Sequence, residues 1–227
     1  MLVIRIDAIG RVSRPGCRDG ASVASWTGMA VILDITISLD GFVTAANAGP
    51  DSGLGDAGEA LHEWAVGADR TPQDVELLAS LTAATGAVVM GRHTFDVVDG
   101  PNGWNDDIHY GADQGDVPPP CFVVTHQAPE HVRLTDRMTI VTTGLHDALD
   151  QAAAAAGEKD VFIMGGGELG GSALREGVVD RLHLHVAPLL LGSGTPLFEG
   201  SRVRLRLDEP ATVVTRNAAH LHYDVVR

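Results

Sequence analysis

The sequence predicts an α/β protein whose central sheet is mostly parallel, with antiparallel strands at its C-terminal edge. Three observations lead there. Short apolar, β-branched runs alternate with helical stretches through most of the chain. The C-terminal part is mostly strand-like, with several runs of period two. Glycines close several of the apolar runs, as expected where an open α/β sheet meets its ligand. The chain has 227 residues, 44% of them hydrophobic, which is enough for a sizeable core. No internal repeat or domain-length linker interrupts the pattern, so residues 29–227 are expected to form a single domain. Residues 1–28 are mixed in polarity and carry Arg5, Arg11, Arg14 and Arg18. They are expected to be a poorly ordered N-terminal extension, with Met29 as the functional start.

The elements follow in order. Residues 31–37 are a buried first strand, 45–58 a Gly/Asp/Pro-rich loop and 59–66 a short helix. "TPQDVELLASLTAATG" is the clearest helix, with Thr71 as N-cap, Pro72 at the first helical position and Asp74 closing a capping box. Gly86 is expected to stop it. "AVVMG" is a strand and "RHTFDVV" a helix, and 99–120 is a surface loop. "CFVVT" and "MTIVTT" are short strands. "LHDALDQAAAAAG" is a helix ended by Gly157. "VFIM" is a strand that runs into a glycine turn, and a helix follows over about 168–175. "DRLHLHVAPLLLG", "RVRLRLDE", "ATVVTRN" and "HLHYDVV" supply the late strands.

Charge narrows the partners. Sixteen Lys+Arg against thirty Asp+Glu give a formal charge of −14, which repels phosphate backbones and anionic lipid. A small-molecule substrate is expected, with no nucleic acid and no membrane. The two cysteines, Cys17 and Cys121, form neither a metal motif nor a disulfide framework, so a reducing cytoplasm fits. The N-terminus lacks the apolar region of a signal peptide, and no apolar run reaches the roughly 18 residues of a membrane span.

In "DVFIMGGGELGGSALREG", Gly165, Gly167 and Gly170 fit G-x-G-x-x-G between a strand and a helix. Glycine lets the backbone approach a pyrophosphate, and the N–H groups of the next helix favour its charge. The motif comes late in the chain and lacks the acid of an ordinary dinucleotide fingerprint at the next strand's end. No Lys-Ser/Thr follows it, which excludes a nucleotide-triphosphatase loop. "VVMGRHTF" places Gly91, Arg92, His93 and Thr94 at a second strand end, and "VVTH" places Thr125 and His126 at a third. All three should gather at the carboxyl edge of the sheet. There is no G-x-S-x-G and no deaminase signature. His183/His185 and His220/His222 each share a strand face, so a metal-binding β-rich protein is the rival reading.

"ISLDGF", "VMGRHTF", "VVTH", "IMGGGELGG" and "LHLHVAPLLLGSGTPLF" together resemble the dihydrofolate reductase-like superfamily, in the branch that shares a domain with the riboflavin-biosynthesis reductase. The resemblance covers about residues 30–227. It implies the dihydrofolate reductase-like three-layer fold, NADPH as cofactor, hydride transfer to a small heterocyclic substrate, and possible homodimerisation. Residue by residue, it implies that Gly91, Arg92, Thr94 and Phe95 form a cofactor-binding turn. Thr125 stands near the adenosine phosphate, and Gly165, Gly166, Gly167, Glu168 and Leu169 form the pyrophosphate loop. Arg92, Thr125 and His126 would suit the 2′-phosphate of NADP. "SLDG" passes close to the nicotinamide in that family, and the 44–58 loop resembles its lid. Asp40 and Glu63 are the candidate proton donors, and no metal is expected. Asp56, Glu59 and Glu63 lie where dihydrofolate reductases begin the helix that carries their acid, but none matches it in a clean motif. A nucleotide-binding protein without turnover would share every cofactor residue.

Overall fold

A computed structural model describes residues 29–101, 103–105, 108–114, 117–208 and 211–226. The expected extension at 1–28 lies outside the described residues. The first strand, β1 (Val31–Ser38), sits inside the sheet and buries side chains on both faces. Val31, Leu33, Ile35 and Ile37 face one core cluster. Ile32 faces another, with Asp34 and Thr36 next on that side of the pleat. Its amino end is pinned from both sides: the Ala30 N–H donates to Asp160 and the Val31 N–H to Asp180.

The remaining elements are β2 (Phe42–Thr44), a 3₁₀ turn (Gly58–His62), α1 (Glu63–Val66), α2 (Pro72–Ala84), β3 (Thr85–Gly91), α3 (Arg92–Val98), β4 (Cys121–Val124), β5 (Met138–Val141), α4 (Leu145–Ala156), β6 (Asp160–Met164), α5 (Gly167–Arg175), β7 (Arg181–Ala187), β8 (Thr195–Pro196), β9 (Arg204–Leu207), β10 (Val213–Val214) and β11 (Ala219–Val226). They build a nine-stranded sheet in the order β10-β11-β7-β1-β6-β3-β4-β5, with β9 also pairing β11, and β2 and β8 make a separate ribbon. Strands β7, β1, β6, β3, β4 and β5 run parallel. β11 is antiparallel to β7, and β9 and β10 are antiparallel to β11. This is the mostly parallel sheet with an antiparallel C-terminal edge that the sequence predicts. Helices α4 and α5 cover one face, packing Leu145, Leu149, Ala173 and Leu174 onto Leu33, Val89 and Ile163. The other face carries α2 and α3, which bring Leu81 against Ile32 and Phe162, and Phe95 against Val88 and Met90. Among the described residues no helix is long and apolar enough to cross a membrane.

Helix α2 starts as its sequence dictates. Thr71 accepts from the Asp74 N–H at 3.1 Å and Asp74 accepts from the Thr71 N–H at 2.8 Å, so both N-terminal donors are satisfied. Its end differs from expectation. Thr85, not Gly86, terminates the helix, and its extended backbone begins β3 at once. Gly86 sits where the β3–β6 register slips between Thr85 and Ala87. A Cβ there would come 2.7 Å from the carbonyl oxygen of Ala156. The residue is small so that α4 can approach the strand, not so that the helix can stop.

Gly86→Ala is therefore expected to destabilise the fold by about 1–3 kcal/mol through overpacking. A urea midpoint equal to that of the unsubstituted chain would show that α4 does not press on this position.

Candidate active site

Strands β6, β3 and β4 are neighbours, so their carboxyl ends lie side by side. Met90 is in register with Met164, and Gly91 with Val124. This gathers Gly91, Thr125 and Gly165 on one rim of the sheet. At Gly165 the backbone turns with φ +95°, and a Cβ would fall 2.3 Å from Thr94 Oγ1. Only glycine lets the β6 exit lie this close to the start of α3. Helix α5 follows, and its N-cap, Gly166, contributes no side-chain cap. The N–H groups of its first turn therefore remain for an anion.

The turn opens on a cavity of about 500 Å³, a size suited to a small molecule or part of a cofactor. Its walls include Gly91, Thr94, Gly165, Gly166, Gly167 and Leu169. The lining also includes the apolar Val43, Leu54, Trp64, Val97, Trp104 and Tyr110 and the polar side chains of Asp34, Thr36, His62, His93 and His109. A second depression of about 510 Å³ lies beside it along the rim, lined by Arg92, Phe95, Gln127 and His131.

The residues singled out in the sequence separate into groups. Gly91, Thr94, Gly165, Gly166, Gly167 and Leu169 meet at the cavity. Arg92 and Thr125 meet one strand over: the Arg92 guanidinium donates to the Gln127 carbonyl, as does the Thr125 hydroxyl, and Arg92 pairs with Asp96 at 2.7 Å. Phe95 is buried in the core with one edge on the second depression, while His126 and Glu168 are exposed. Asp40 lies outside the cavity wall. Its carboxylate accepts from the Ser38 hydroxyl at 2.5 Å and from the N–H groups of Leu191 and Gly192 at 3.1 and 2.7 Å. Ser38 foremost, with those amides, holds its carboxyl below the usual range, so it ties the β1 exit loop to residues 189–192 as an ionised anchor. Glu63 is exposed on α1, and its neighbours His62 and Trp64, rather than Glu63, line the cavity.

One acid was not foreseen. Asp34, in the middle of β1, forms part of the cavity floor. Its Oδ2 is 3.5 Å from His183 Nδ1 and its Oδ1 is 3.4 Å from His185 Nε2. Burial works to raise its pKa, but His185 and His183 outweigh it and hold the carboxyl well below the usual range. His185 Nδ1 lies 2.8 Å from His220 Nδ1, and His220 Nε2 lies 3.2 Å from Asp74 Oδ1. Trp64 packs on both of these rings, at 4.3 and 4.9 Å, and donates its indole N–H to Thr36.

Comparison with known proteins agrees with this architecture. The model of the RibD C-terminal domain matches residues 29–221. The chain belongs to the RibD C-terminal domain family. It is 22% identical over 183 residues to the uncharacterised protein YyaP of Bacillus subtilis (strain 168), covering 78% of this chain and 84% of that one. Among solved structures, a Shewanella sp. PV-4 protein named for riboflavin biosynthesis aligns over 88% of this chain and all (100%) of its own, at 24% identity and TM-score 0.62. Acinetobacter baumannii RibD aligns over 88% of this chain at 20% identity and TM-score 0.55, but over only 59% of its own length. These likenesses establish the fold, which is that of the RibD C-terminal domain.

The histidines behind the rival metal reading lie against one another. His183 and His222 stack face to face at 3.9 Å, and His185 and His220 hydrogen-bond to each other. Among the described residues no group of three or more His, Cys, Asp or Glu is arranged to hold a metal ion. The histidines of the two late strands pair across the sheet instead.

The cluster makes stability depend on pH. His62, His220 and His222 are pushed down from the usual 6.5 to about 4, first by burial and then by neighbouring histidines. The unfolded chain thus takes up these protons more readily than the folded one. Stability is complete above about 6.5 and falls as pH drops through the window to about 4. Urea midpoints measured along that range are expected to fall steadily. A flat profile would mean that these rings are hydrated and open.

Proposed function

We propose that this member of the RibD C-terminal domain family is an NADPH-dependent reductase acting on a small heterocyclic molecule. The observation that carries the reading is the row of three adjacent strand ends: those of β6 and β3 line one cavity with an uncapped helix start and a glycine turn, and that of β4 leads into the depression beside it. The residues fit the cofactor. The turn at Gly165, Gly166 and Gly167 would hold the pyrophosphate, with the α5 amides directed at it. Arg92 and Thr125, one strand over, would hold the adenosine phosphate, where Arg92 offers a charge-assisted fork. When bound, the reduced nicotinamide supplies a hydride. The chain's own work is then to orient the acceptor, exclude water with Val43, Leu54 and Trp104, and supply a proton.

A relative solved from Thermotoga maritima is named as a diaminohydroxyphosphoribosylaminopyrimidine deaminase/5-amino-6-(5-phosphoribosylamino)uracil reductase. That uracil is accordingly the first substrate to try. Trp64 and Trp104 both line the cavity, so NADPH is expected to quench tryptophan emission, and its oxidation with the uracil is followed by absorbance. Absence of NADPH binding would end the reductase reading. Binding without oxidation across heterocyclic acceptors would instead indicate a nucleotide-binding protein without turnover. Arg92→Ala is expected to weaken NADPH about tenfold while leaving NADH little changed. Equal losses for both cofactors would show that Arg92 does not read the 2′-phosphate.

A further inference from the structure

The Asp34 carboxylate occupies a place in the cavity that the glycine turn does not explain. His183 Nδ1 and His185 Nε2 approach it at 3.5 and 3.4 Å, but neither contact closes to a hydrogen bond. Both nitrogens, like Asp34 Oδ2, are buried without a hydrogen-bond partner. The two rings steady the charge and leave the acceptor capacity of the carboxylate unused. Oδ2 is sealed against His183, so Oδ1 is the oxygen that the cavity reaches. No fixed cation answers it. The titratable side chains of the described lining are Asp34, His62, His93, His109 and Tyr110, with no lysine or arginine among them. Burial pushes His62 down to about 4 and the Tyr110 phenol upward, so both are neutral near neutral pH. An ionised carboxylate between apolar walls is short of water, and an N–H donor beside it supplies what water does not. A phosphate or carboxylate brought to the same place meets like charge at low dielectric.

We propose that the Asp34 carboxylate anchors the substrate by accepting an N–H from an amino- or amidine-bearing ring, and that it selects against substrates carrying an anionic group into this part of the cavity. The inference deepens the reductase reading, on which it rests for calling the occupant a substrate. Asp34 remains a carboxylate throughout and transfers no proton. It is in register with Met164, the residue before the glycine turn. A ring held on Asp34 by its N–H edge therefore lies in the same chamber as that turn. Trp64, whose indole N–H is fixed on Thr36, and Leu54 offer the apolar body of such a ring its contacts. The phosphoribosyl group of the uracil named for the Thermotoga maritima relative finds no fixed cation among the described lining residues. A phosphate-free aminopyrimidine is the better fit.

Three probes of one shape and different charge test the anchor without cofactor. Benzamidine, benzamide and benzoate are titrated into the full chain and followed by tryptophan emission, since Trp64 and Trp104 line the cavity. Benzamidine is expected to bind about tenfold more tightly than benzamide, and benzoate more weakly than either. Equal affinities, or benzoate the tightest, overturn the proposal. Asp34→Asn is expected to bring benzamidine to about the affinity of benzamide. A preference that survives the substitution places the cation elsewhere and overturns the proposal as well. Should that variant fail to fold, carboxyl ¹³C NMR of the unsubstituted chain decides. The Asp34 signal is expected to move on adding benzamidine, and an unmoved signal rules the anchor out. In turnover with NADPH, the phosphoribosylaminouracil is expected to show a KM about tenfold above that of its phosphate-free form. Equal KM values overturn the selection against anions. Failure of NADPH to bind is a different outcome: it ends the reductase reading, and the benzamidine series still decides the anchor.

Discussion

The register of β1 between its two parallel neighbours decides where everything else stands. Asp34 pairs with Met164 on one side and with His183 on the other. Met164 is the last residue of β6, so the backbone at Asp34 sits one strand spacing, about 4.8 Å, from the residue that precedes the glycine turn. The same register sets His185 beside Thr36 and, through the antiparallel step to β11, His220 beside His185. A slip of one residue would send Asp34 into the apolar layer under α4 and α5 and remove the polar floor altogether. The carboxylates of Asp160 and Asp180, which pin the amino end of β1, guard against that slip.

The two faces of the sheet divide the work. Beneath α4 and α5 the layer is apolar and closed, and Val31, Leu33, Val161 and Ile163 are wholly buried. On the opposite face α2 and α3 cover separate parts of the sheet, and the space between them is the cavity. There the strands carry Asp34, Thr36, His183, His185, His220 and His222, a costly set to bury without partners. Each is placed beside another of the set or beside Trp64. Asp74 joins the start of α2 to this layer, because the carboxylate that closes the capping box also receives His220, Thr215 and Asn217. Local helix signal and distant site chemistry thus meet in one side chain.

Much of this was legible in the sequence, and the reasons are specific. "TPQD" gave the start of α2 because its cap is a local interaction. "IMGGGELGG" gave the glycine turn because backbone conformation there admits few residues. The parallel direction of β6, β3 and β4, and so the gathering of their ends on the carboxyl edge, followed from alternating strands and helices. What escaped was whatever depends on pairing distant strands. Asp34 was hidden in "VILDITIS", where an acid inside an apolar run could have been noticed as a polar residue on a buried strand. Its partners lie about 150 positions later in the chain, and spacing alone does not place them beside it. Asp40 drew attention through its motif, yet its oxygens are committed to a loop that no local pattern reveals. Gly86 looked like a helix stop because the press of Ala156 on it is likewise a long-range contact.

The arrangement at the antiparallel margin has a consequence for how the molecule behaves among its neighbours. β11 is flanked not by one long strand but by two short ones, β10 against its first residues and β9 against its last. The opposite margin ends in β5, of four residues. Among the described residues neither border offers a continuous ladder of free amides and carbonyls onto which another chain could zip. A sheet this wide would otherwise invite fibrous association. Here the invitation is withdrawn by dividing its last row, and Arg204 and Arg206 of β9 add charge to that edge.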